Sequence, residues 1–174
     1  MLELILSSVY LIFPAYVANM CPVIFGKLNF PFGHSINKCL FGANKTYRGF
    51  YTAYIGALAI LFLQQYLAKN NILTDYALLD YKQISIPLYA ALFGFGAISG
   101  DLTKSFFKRR LHIKPGRPWF PFDQLDFVIG AYLFLLPAYV VPWQNLLTIL
   151  ILTPALHFLT NLIAYMLKLK KVWW

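Results

Sequence analysis

Acidic residues are scarce in this chain: its 174 residues include only six Asp or Glu, and charged residues of both signs make up 12%. In soluble domains about a quarter of the residues are charged and about half are apolar. In this chain 60% of the residues are hydrophobic. One small globule could not bury so much apolar surface, so the composition predicts an integral membrane protein. The net charge of +9 suits an anionic lipid or substrate. It would also suit nucleic acid, but the hydropathy argues against nucleic-acid binding.

Cysteine is equally scarce. Cys21 and Cys39 form no Cys-x-x-Cys pair and match no metal-ligand spacing, so we assign them no function. The N-terminal stretch lacks the basic segment and the cleavage site of a signal peptide, which predicts a retained first span. Because no repeat or change of composition divides the chain, we expect a single membrane domain over residues 1–174.

Long apolar stretches, in contrast, are abundant. A hydrocarbon core about 30 Å thick requires about 20 apolar residues per helix. The predicted spans cover approximately residues 2–25, 50–67, 84–98, 127–141 and 146–167. We therefore predict an all-α integral membrane protein with five transmembrane helices and two basic cytoplasmic loops, approximately residues 26–49 and 99–126. Small residues in LFGFGAISG, within the third span, favour close helix packing.

Positive charge is distributed unevenly between the loops. The two basic loops and the C-terminal tail hold 13 of the 15 Lys and Arg residues. The positive-inside rule places these segments in the cytoplasm. This predicts a multi-pass protein of the cell membrane with its N-terminus outside, its C-terminus in the cytoplasm and a site that faces the cytoplasm.

The stretch DLTKSFFKRRLHIKPGRPWFPFDQLD, residues 101–126, contains six Lys or Arg and half of the acidic residues. Asp101 is expected to end the third span, and TKSFFKRRLHIK, residues 103–114, to continue as a helix near the interface. Pro115 and Gly116 would stop that helix. Asp123 would then begin the fourth span.

These charges have an ordinary interpretation beside a functional one. The cations can form a juxtamembrane patch that fixes topology and holds anionic lipid, and Asp123 alone can cap a helix. Asp126, three residues on, falls on the same helical face, and Asp101 at a helix end would meet the negative end of the helix dipole. Ionisable groups at membrane depth indicate a functional site.

Three carboxylates close together repel one another unless a cation joins them. Oxygen ligands favour a hard ion, and Mg²⁺ commonly completes its shell with water and substrate phosphate. We therefore predict Mg²⁺ as cofactor, with Asp101, Asp123 and Asp126 as metal ligands. The neighbouring Lys and Arg would neutralise phosphate groups, and this combination suits transfer at phosphorus.

The stretch FGANKTYRGFY, residues 41–51, places Lys45, Thr46 and Arg48 between glycines. These residues either bind phosphate or form an interfacial cap of the second helix. The stretch is not a Walker A loop, because the Gly-Lys pair and the strand–loop–helix context are both missing.

Two apolar spans carry polar residues. Thr153, His157 and Asn161 recur every four residues and therefore share one face of the fifth span. They either form interhelical hydrogen bonds or line a substrate cavity. Asn19 in the first span has the same two interpretations.

Four segments together resemble the CDP-archaeol synthase family: PAYVANMCPVIFGK, FGANKTYRGF, SGDLTKSFFKRRLHIKPGRPWFPFDQLDFVIGA and TPALHFLTNLIAYMLKLK. The similarity covers nearly the whole chain. The family is similar in logic to bacterial phosphatidate cytidylyltransferases, whose signature couples a Ser-x-x-Lys-Arg run to paired acids near a helix start. The matching residues are Ser105, Lys108, Arg109, Asp123 and Asp126.

The resemblance implies a Mg²⁺-dependent CTP:lipid-phosphate cytidylyltransferase. It would transfer CMP from CTP to an unsaturated archaeal diether glycerol phosphate, digeranylgeranylglyceryl phosphate, and so form a CDP-activated lipid and pyrophosphate. Its partners would be CTP and the anionic lipid of the bilayer, with no nucleic acid. One departure is that Ala43 and Asn44 stand where the family pattern often has an acid.

Residues and motif together give the predicted site. The predicted catalytic residues are Lys108, Arg109, Asp123 and Asp126. The predicted substrate-binding residues are Lys45, Thr46, Arg48, Lys104, Ser105, Lys114, Asn19, His157 and Asn161. Two alternatives are a phosphatidate cytidylyltransferase acting on diacyl lipid and a small membrane transporter or anion channel. A transporter should show inverted repeats and a polar site near the bilayer midplane, and the sequence shows no repeat.

Overall fold

The structure, a computed structural model, describes residues 1–114 and 117–166, without the side chains at 160, 161, 163 and 164. Within these residues the chain forms five α-helices: α1 (Leu2–Lys27), α2 (Tyr47–Lys69), α3 (Ile86–Arg110), α4 (Phe122–Leu135) and α5 (Trp143–Met166). A short 3₁₀ turn, Thr74–Tyr76, lies between α2 and α3. The predicted all-helical class is confirmed.

Helix α3 differs most from its sequence-based prediction. The predicted helical continuation after Asp101 is present, but it is the end of α3 itself, which runs without a break to Arg110. Because α4 already begins at Phe122, only residues 111–121 separate the two helices. The ammonium of Lys104 lies 3.1 Å from the Asp101 carboxylate one turn earlier. The last turn of α3 is basic and meets the negative end of the helix dipole. Charge that looked like loop composition therefore stabilises a helix.

Helix length and hydropathy support membrane embedding. Helices α1, α2 and α3 are each long and apolar enough to cross a membrane, and α5 has a shorter apolar part, Trp143–Leu159. Helix α4 has 14 residues, which corresponds to about 21 Å, less than the core thickness of about 30 Å. The described residues thus contain three clear candidate spans and a fourth, shorter one.

Glycines set the distance between α3 and α4. A Cβ atom on Gly100 would overlap the backbone oxygen of Asp126, and one on Gly130 would overlap that of Gly96. The two helices therefore touch backbone to backbone, as small residues permit in membrane proteins. This contact confirms the close packing expected from the glycine-rich sequence, and it brings Asp101 next to the first turns of α4.

The helices run alternately up and down. The C-terminal halves of α1 and α3 and the N-termini of α2 and α4 consequently meet at one end, which we call the cavity end. The connections 70–85 and 136–142 form the opposite end. The core between them is packed by small and aromatic side chains, among them Ala15, Ala53 and Phe93, all fully buried.

The first loop folds back over the cavity end. The backbone N–H of Ile36 donates to the Lys45 carbonyl at 2.8 Å, and that of Arg48 donates to the Phe32 carbonyl at 3.0 Å. Gly42, at φ +90°, lies in the turn between the paired segments, a conformation that favours glycine. This antiparallel pairing holds Lys45, just before α2, at a fixed place above the helix ends.

Candidate active site

A polar cavity of about 700 Å³ opens at the cavity end, lined by parts of all five helices and by the first loop. It brings together most of the residues that the sequence predicted. They are Asn19, Lys45, Thr46, Arg48, Asp101, Lys104, Asp123, Asp126 and His157. Residues separated by more than a hundred positions in the sequence therefore share one concave, charged surface.

The centre of this surface is a cluster of three carboxylates around one ammonium group, which we call the aspartate cage. Lys104 Nζ lies 2.6 Å from Asp126 Oδ2, 3.1 Å from Asp101 Oδ1 and 3.3 Å from Asp123 Oδ1. The Asp126 side chain is only 5% exposed. Groups so little solvated remain charged only when they are paired, so each carboxylate depends on its neighbouring lysines.

Two further lysines complete the cage from outside. Lys45 forms an ion pair with Asp101 and so ties the first loop to α3. Lys108 Nζ lies 3.0 Å from both carboxylate oxygens of Asp123 and donates to the Arg117 carbonyl at 2.6 Å. Three lysines thus balance three aspartates, and the contacts of the cage leave no net charge.

Asp123 has an additional backbone partner. The N–H of Trp119 donates to its Oδ2 at 2.6 Å, and Asp123 lies in the first turn of α4, where the helix dipole favours an anion. The capping alternative is therefore only partly right, because the N-cap position belongs to Pro121. The side chain fastens the preceding loop to the helix while it faces the cavity.

The donor set of the cage fits a hard cation. All its ligand atoms are carboxylate oxygens, which Mg²⁺ prefers. The geometry is that of an ammonium site, however: within residues 1–114 and 117–166 no group of three or more acidic, His or Cys side chains is arranged to hold a metal ion. The three carboxylates that a metal ion would need are the ones that contact the Lys104 ammonium here.

Arg48 has a structural contact as well as a place in the cavity wall. Its Nη1 donates to the Phe30 carbonyl at 2.7 Å. A Cβ atom on Gly33 would come within 3.2 Å of the same guanidinium nitrogen. Its Nε is buried and has no hydrogen-bond partner. The guanidinium therefore anchors the first loop while the side chain forms part of the cavity wall.

An apolar cavity of about 310 Å³ lies between α3 and α4. Its wall is mostly aromatic and aliphatic, with Phe107, Trp119 and Phe134 among the lining residues. Lys104 and Asp126 line this cavity and the polar cavity alike. The ion pair between them therefore stands where a charged compartment meets a hydrophobic one.

Four predicted residues with described side chains do not line the polar cavity: Lys108, which contacts Asp123, and Ser105, Arg109 and Lys114. Ser105 is buried and its hydroxyl donates to the Asp101 carbonyl at 2.8 Å, within the helix. Arg109 follows Lys108 but points elsewhere, and Lys114 is exposed in the loop after α3. Adjacent helical residues face different directions, so nearness in the sequence does not bring these side chains into the cavity wall, and their functional roles stay predictions.

The polar stripe of α5 divides between its two interpretations. The Thr153 hydroxyl hydrogen-bonds the Tyr16 hydroxyl of α1 at 2.7 Å, so it links helices. His157, one turn later, lines the polar cavity. The side chain of Asn161 lies outside the described residues, as do the tail lysines.

Sequence reasoning missed two features. Lys27, at the C-terminus of α1, lines the polar cavity, and its membership of the basic first loop was the available signal. The apolar cavity is indicated less clearly by the sequence. The aromatic run RPWFPF, which leads into α4, supplies part of its wall, but the run alone does not predict a cavity next to the cage.

Comparison with known proteins is consistent with this site. A family model described as CarS-like CDP-archaeol synthase matches residues 1–174. A CDP-archaeol synthase from Pyrococcus furiosus is 36% identical over 174 residues, covering 98% of each chain. One from Methanococcus vannielii is 38% identical over 180 residues, covering 100% of this chain and 99% of the relative.

A solved structure, described as an intramembrane enzyme for archaeal membrane lipid biosynthesis, matches with a TM-score of 0.68 and 28% identity. It covers 88% of this chain and 91% of the other. Helical fold, paired cavities and charged cage thus define a membrane-embedded enzyme of lipid biosynthesis. Within that class, the chain belongs to the CDP-archaeol synthase family, as its sequence motifs predicted.

Proposed function

We propose that this protein transfers CMP from CTP to an unsaturated archaeal diether glycerol phosphate, digeranylgeranylglyceryl phosphate. The products are a CDP-activated lipid of the CDP-archaeol type and pyrophosphate. The observation that carries the proposal is the junction at Lys104 and Asp126, where the polar cavity meets the apolar cavity. A reaction between a water-soluble triphosphate and a lipid phosphate requires such a junction.

The chemistry asks little of a general base. A lipid phosphate oxygen attacks the α-phosphorus of CTP, the new P–O bond forms, and the bond to the β-phosphate oxygen breaks as pyrophosphate leaves. Because both reactants are anions, the protein must screen their repulsion and stabilise the charge on the leaving group. Lys45 and Arg48, on the first-loop side of the cavity, are suited to the triphosphate.

Lys108 acts through Asp123, because its ammonium contacts that carboxylate and does not line the cavity. It is therefore a positioning residue, whereas Asp123 and Asp126 face the reactants. Asn19 and His157 line the part of the cavity nearest α1 and α5, and we assign them to substrate binding.

We further propose that Mg²⁺ is the cofactor and that Asp101, Asp123 and Asp126 hold it. The ion would supply positive charge to neighbouring phosphate oxygens. The fit rests on the all-oxygen donor set of the cage.

The apolar cavity is the proposed place for a hydrocarbon chain next to the phosphate. It adjoins Lys104, which can contact the phosphate of a lipid whose chain lies against Phe107 and Phe134. The headgroup chemistry does not distinguish a diether from a diacyl lipid, so phosphatidate remains the alternative substrate. The family is one of synthases, which argues against the transporter and channel alternatives.

A lipid panel tests the activity. Purified protein is incubated with labelled CTP, Mg²⁺ and either unsaturated diether glycerol phosphate or diacyl phosphatidate. We expect CDP-lipid and equimolar pyrophosphate with the diether substrate and at least tenfold less with the diacyl one. Equal rates would favour the phosphatidate alternative, and no CDP-lipid with either substrate would contradict the proposal.

The proposed topology has five spans, with the N-terminus outside and the cavity end and C-terminus in the cytoplasm. It is supported by the position of the basic first and third loops at one end of the helices. Cysteine labelling tests it in a chain whose exposed native Cys39 is changed to Ser. An Asn71→Cys variant should react with an impermeant reagent from outside, and an Arg117→Cys variant should not; the reverse pattern would contradict the orientation.

A further inference from the structure

Lys104 holds an unusual position for a substrate-binding lysine. Its ammonium contacts all three carboxylates of the aspartate cage, at 2.6 to 3.3 Å. Its side chain is 15% exposed. A lysine reserved for phosphate would present its ammonium to the cavity alone, whereas this ammonium lies within 3.3 Å of three aspartates.

A divalent ion and this ammonium cannot occupy the cage together. Mg²⁺ requires oxygen ligands at about 2.0–2.1 Å, so an ion bound by these carboxylates would lie against the Lys104 nitrogen. Two cations at that distance in a weakly solvated site repel each other strongly. One must leave when the other enters.

The structure gives the lysine somewhere to go. Lys104 is the residue that, with Asp126, lines both cavities, and its four-carbon stem is flexible. Rotation of the stem moves the ammonium out of the cage toward the polar cavity or toward the mouth of the apolar one, without any change of the α3 backbone.

From these contacts we infer that Lys104 is a built-in counter-ion that exchanges with a divalent metal ion. Without metal, it neutralises the cage and keeps three weakly solvated carboxylates compatible with folding. When the metal enters, the ammonium is released to the junction of the two cavities, where the lipid phosphate binds. The inference rests on the proposal that the cage holds a divalent ion.

If Lys104 exchanges with the metal ion, removal of the lysine should tighten metal binding. If Lys104 only supported a bound metal ion, its removal should weaken metal binding. Mn²⁺ serves as the probe, measured by electron paramagnetic resonance on the purified full-length protein without nucleotide. Lys104→Met is compared with Lys27→Met, which removes the same charge from the wall of the same cavity but leaves the cage contacts intact.

We expect Lys104→Met to bind Mn²⁺ at least tenfold tighter than the unchanged protein. The inference is overturned if the increase in Mn²⁺ affinity caused by Lys104→Met is less than five times the increase caused by Lys27→Met. A cage that binds no Mn²⁺ in the unchanged protein with CTP and none in Lys104→Met would overturn the metal proposal itself. Metal binding without the gain would overturn the exchange alone.

A second measurement uses the unchanged chain, because Lys104→Met can fail to fold without metal. Acetic anhydride acetylates accessible lysines, and mass spectrometry quantifies each site. With saturating Mg²⁺ and no CTP, acetylation of Lys104 should rise at least threefold relative to that of Lys27. A smaller rise, or a decrease, would show that Lys104 stays in the cage and would overturn the exchange.

Discussion

The two ends of the helix bundle treat polar residues in opposite ways. At the opposite end, the buried side-chain contact between α1 and α5 is neutral: the Asn145 side-chain N–H groups donate to Ser7 and Ser8 at 3.0 Å. Asp75 and Asp80 are exposed there. At the cavity end the aspartates are gathered and paired, and every ion pair within the described residues lies there.

The two ends show the difference between polar residues that hold helices together and polar residues that face a cavity. A neutral hydrogen bond between helices contributes about 1 kcal/mol and offers no surface to a ligand. Buried ion pairs are weak evidence for stability, because desolvation offsets much of their attraction. A chain with only six acids that places three of them in such pairs is therefore using them for something other than folding.

The largest expected effect is at the most deeply buried carboxylate. Asp126→Asn removes a charge from the cage while keeping the shape of the side chain, so we expect kcat/KM to fall at least about a thousandfold, or about 4 kcal/mol. The activity assay with labelled CTP measures it, and an unchanged elution profile in detergent is the control for folding. A loss below tenfold would remove Asp126 from the site.

A smaller effect should distinguish two neighbours in the basic run. Lys108→Gln deprives Asp123 of a partner 3.0 Å away, and we expect about a hundredfold loss, or about 2.7 kcal/mol, mainly in kcat. Arg109→Gln, outside the cavity wall, should lose less than fivefold. Equal losses in the two variants, measured under the same conditions, would mean that charge alone matters and that the run is only a basic patch.

Helix packing can be tested without touching a charged group. Gly100→Ala places a Cβ atom where it overlaps the Asp126 backbone oxygen in α4, so we expect a loss of about 1–3 kcal/mol of stability or more, together with a loss of activity. Gly49→Ala is the matched control, since its nearest neighbour would lie 4.0 Å away. Thermal unfolding in detergent compares them, and equal melting temperatures would contradict the backbone contact between α3 and α4.

The smallest effect belongs to the opposite end. Asn145→Ala leaves Ser7 and Ser8 without their donor, and we expect about 1 kcal/mol of destabilisation with kcat/KM unchanged within twofold. Melting temperature and activity are measured on the same preparation. If activity falls by more than the loss of stability explains, the opposite end also contributes to catalysis, and the distinction between the two ends is wrong.

Much of the cage could be predicted from sequence because its residues are charged in an apolar chain. Asp101, Asp123 and Asp126 were singled out by that contrast alone, and the glycines of α3 indicated the close helix contact. The position of Lys104 inside the cage was not predictable, because i, i+3 spacing from Asp101 gives proximity to one carboxylate only. Its contacts with Asp123 and Asp126 depend on how α4 packs.

Helix ends and the directions of side chains were harder to predict from the sequence. Hydropathy could not show that α3 continues to Arg110, since charged residues lower the apolar score while they stabilise the helix end. Ser105, Lys108 and Arg109 share a motif, yet the cavity wall includes none of them, because a linear motif does not specify which helical face is inward. The position of His157 in the cavity wall depends on how α5 packs against the other helices, which the sequence does not show.

The central claim, that the scarce acids are gathered at the cavity end for catalysis, is tested most directly by one substitution made at both ends. CDP-lipid formation is compared between Asp123→Asn, in the cage, and Asp75→Asn, exposed at the opposite end. We predict near-complete loss of turnover in the first variant and a rate within twofold of the unchanged protein in the second. Comparable rates in the two variants would contradict the account.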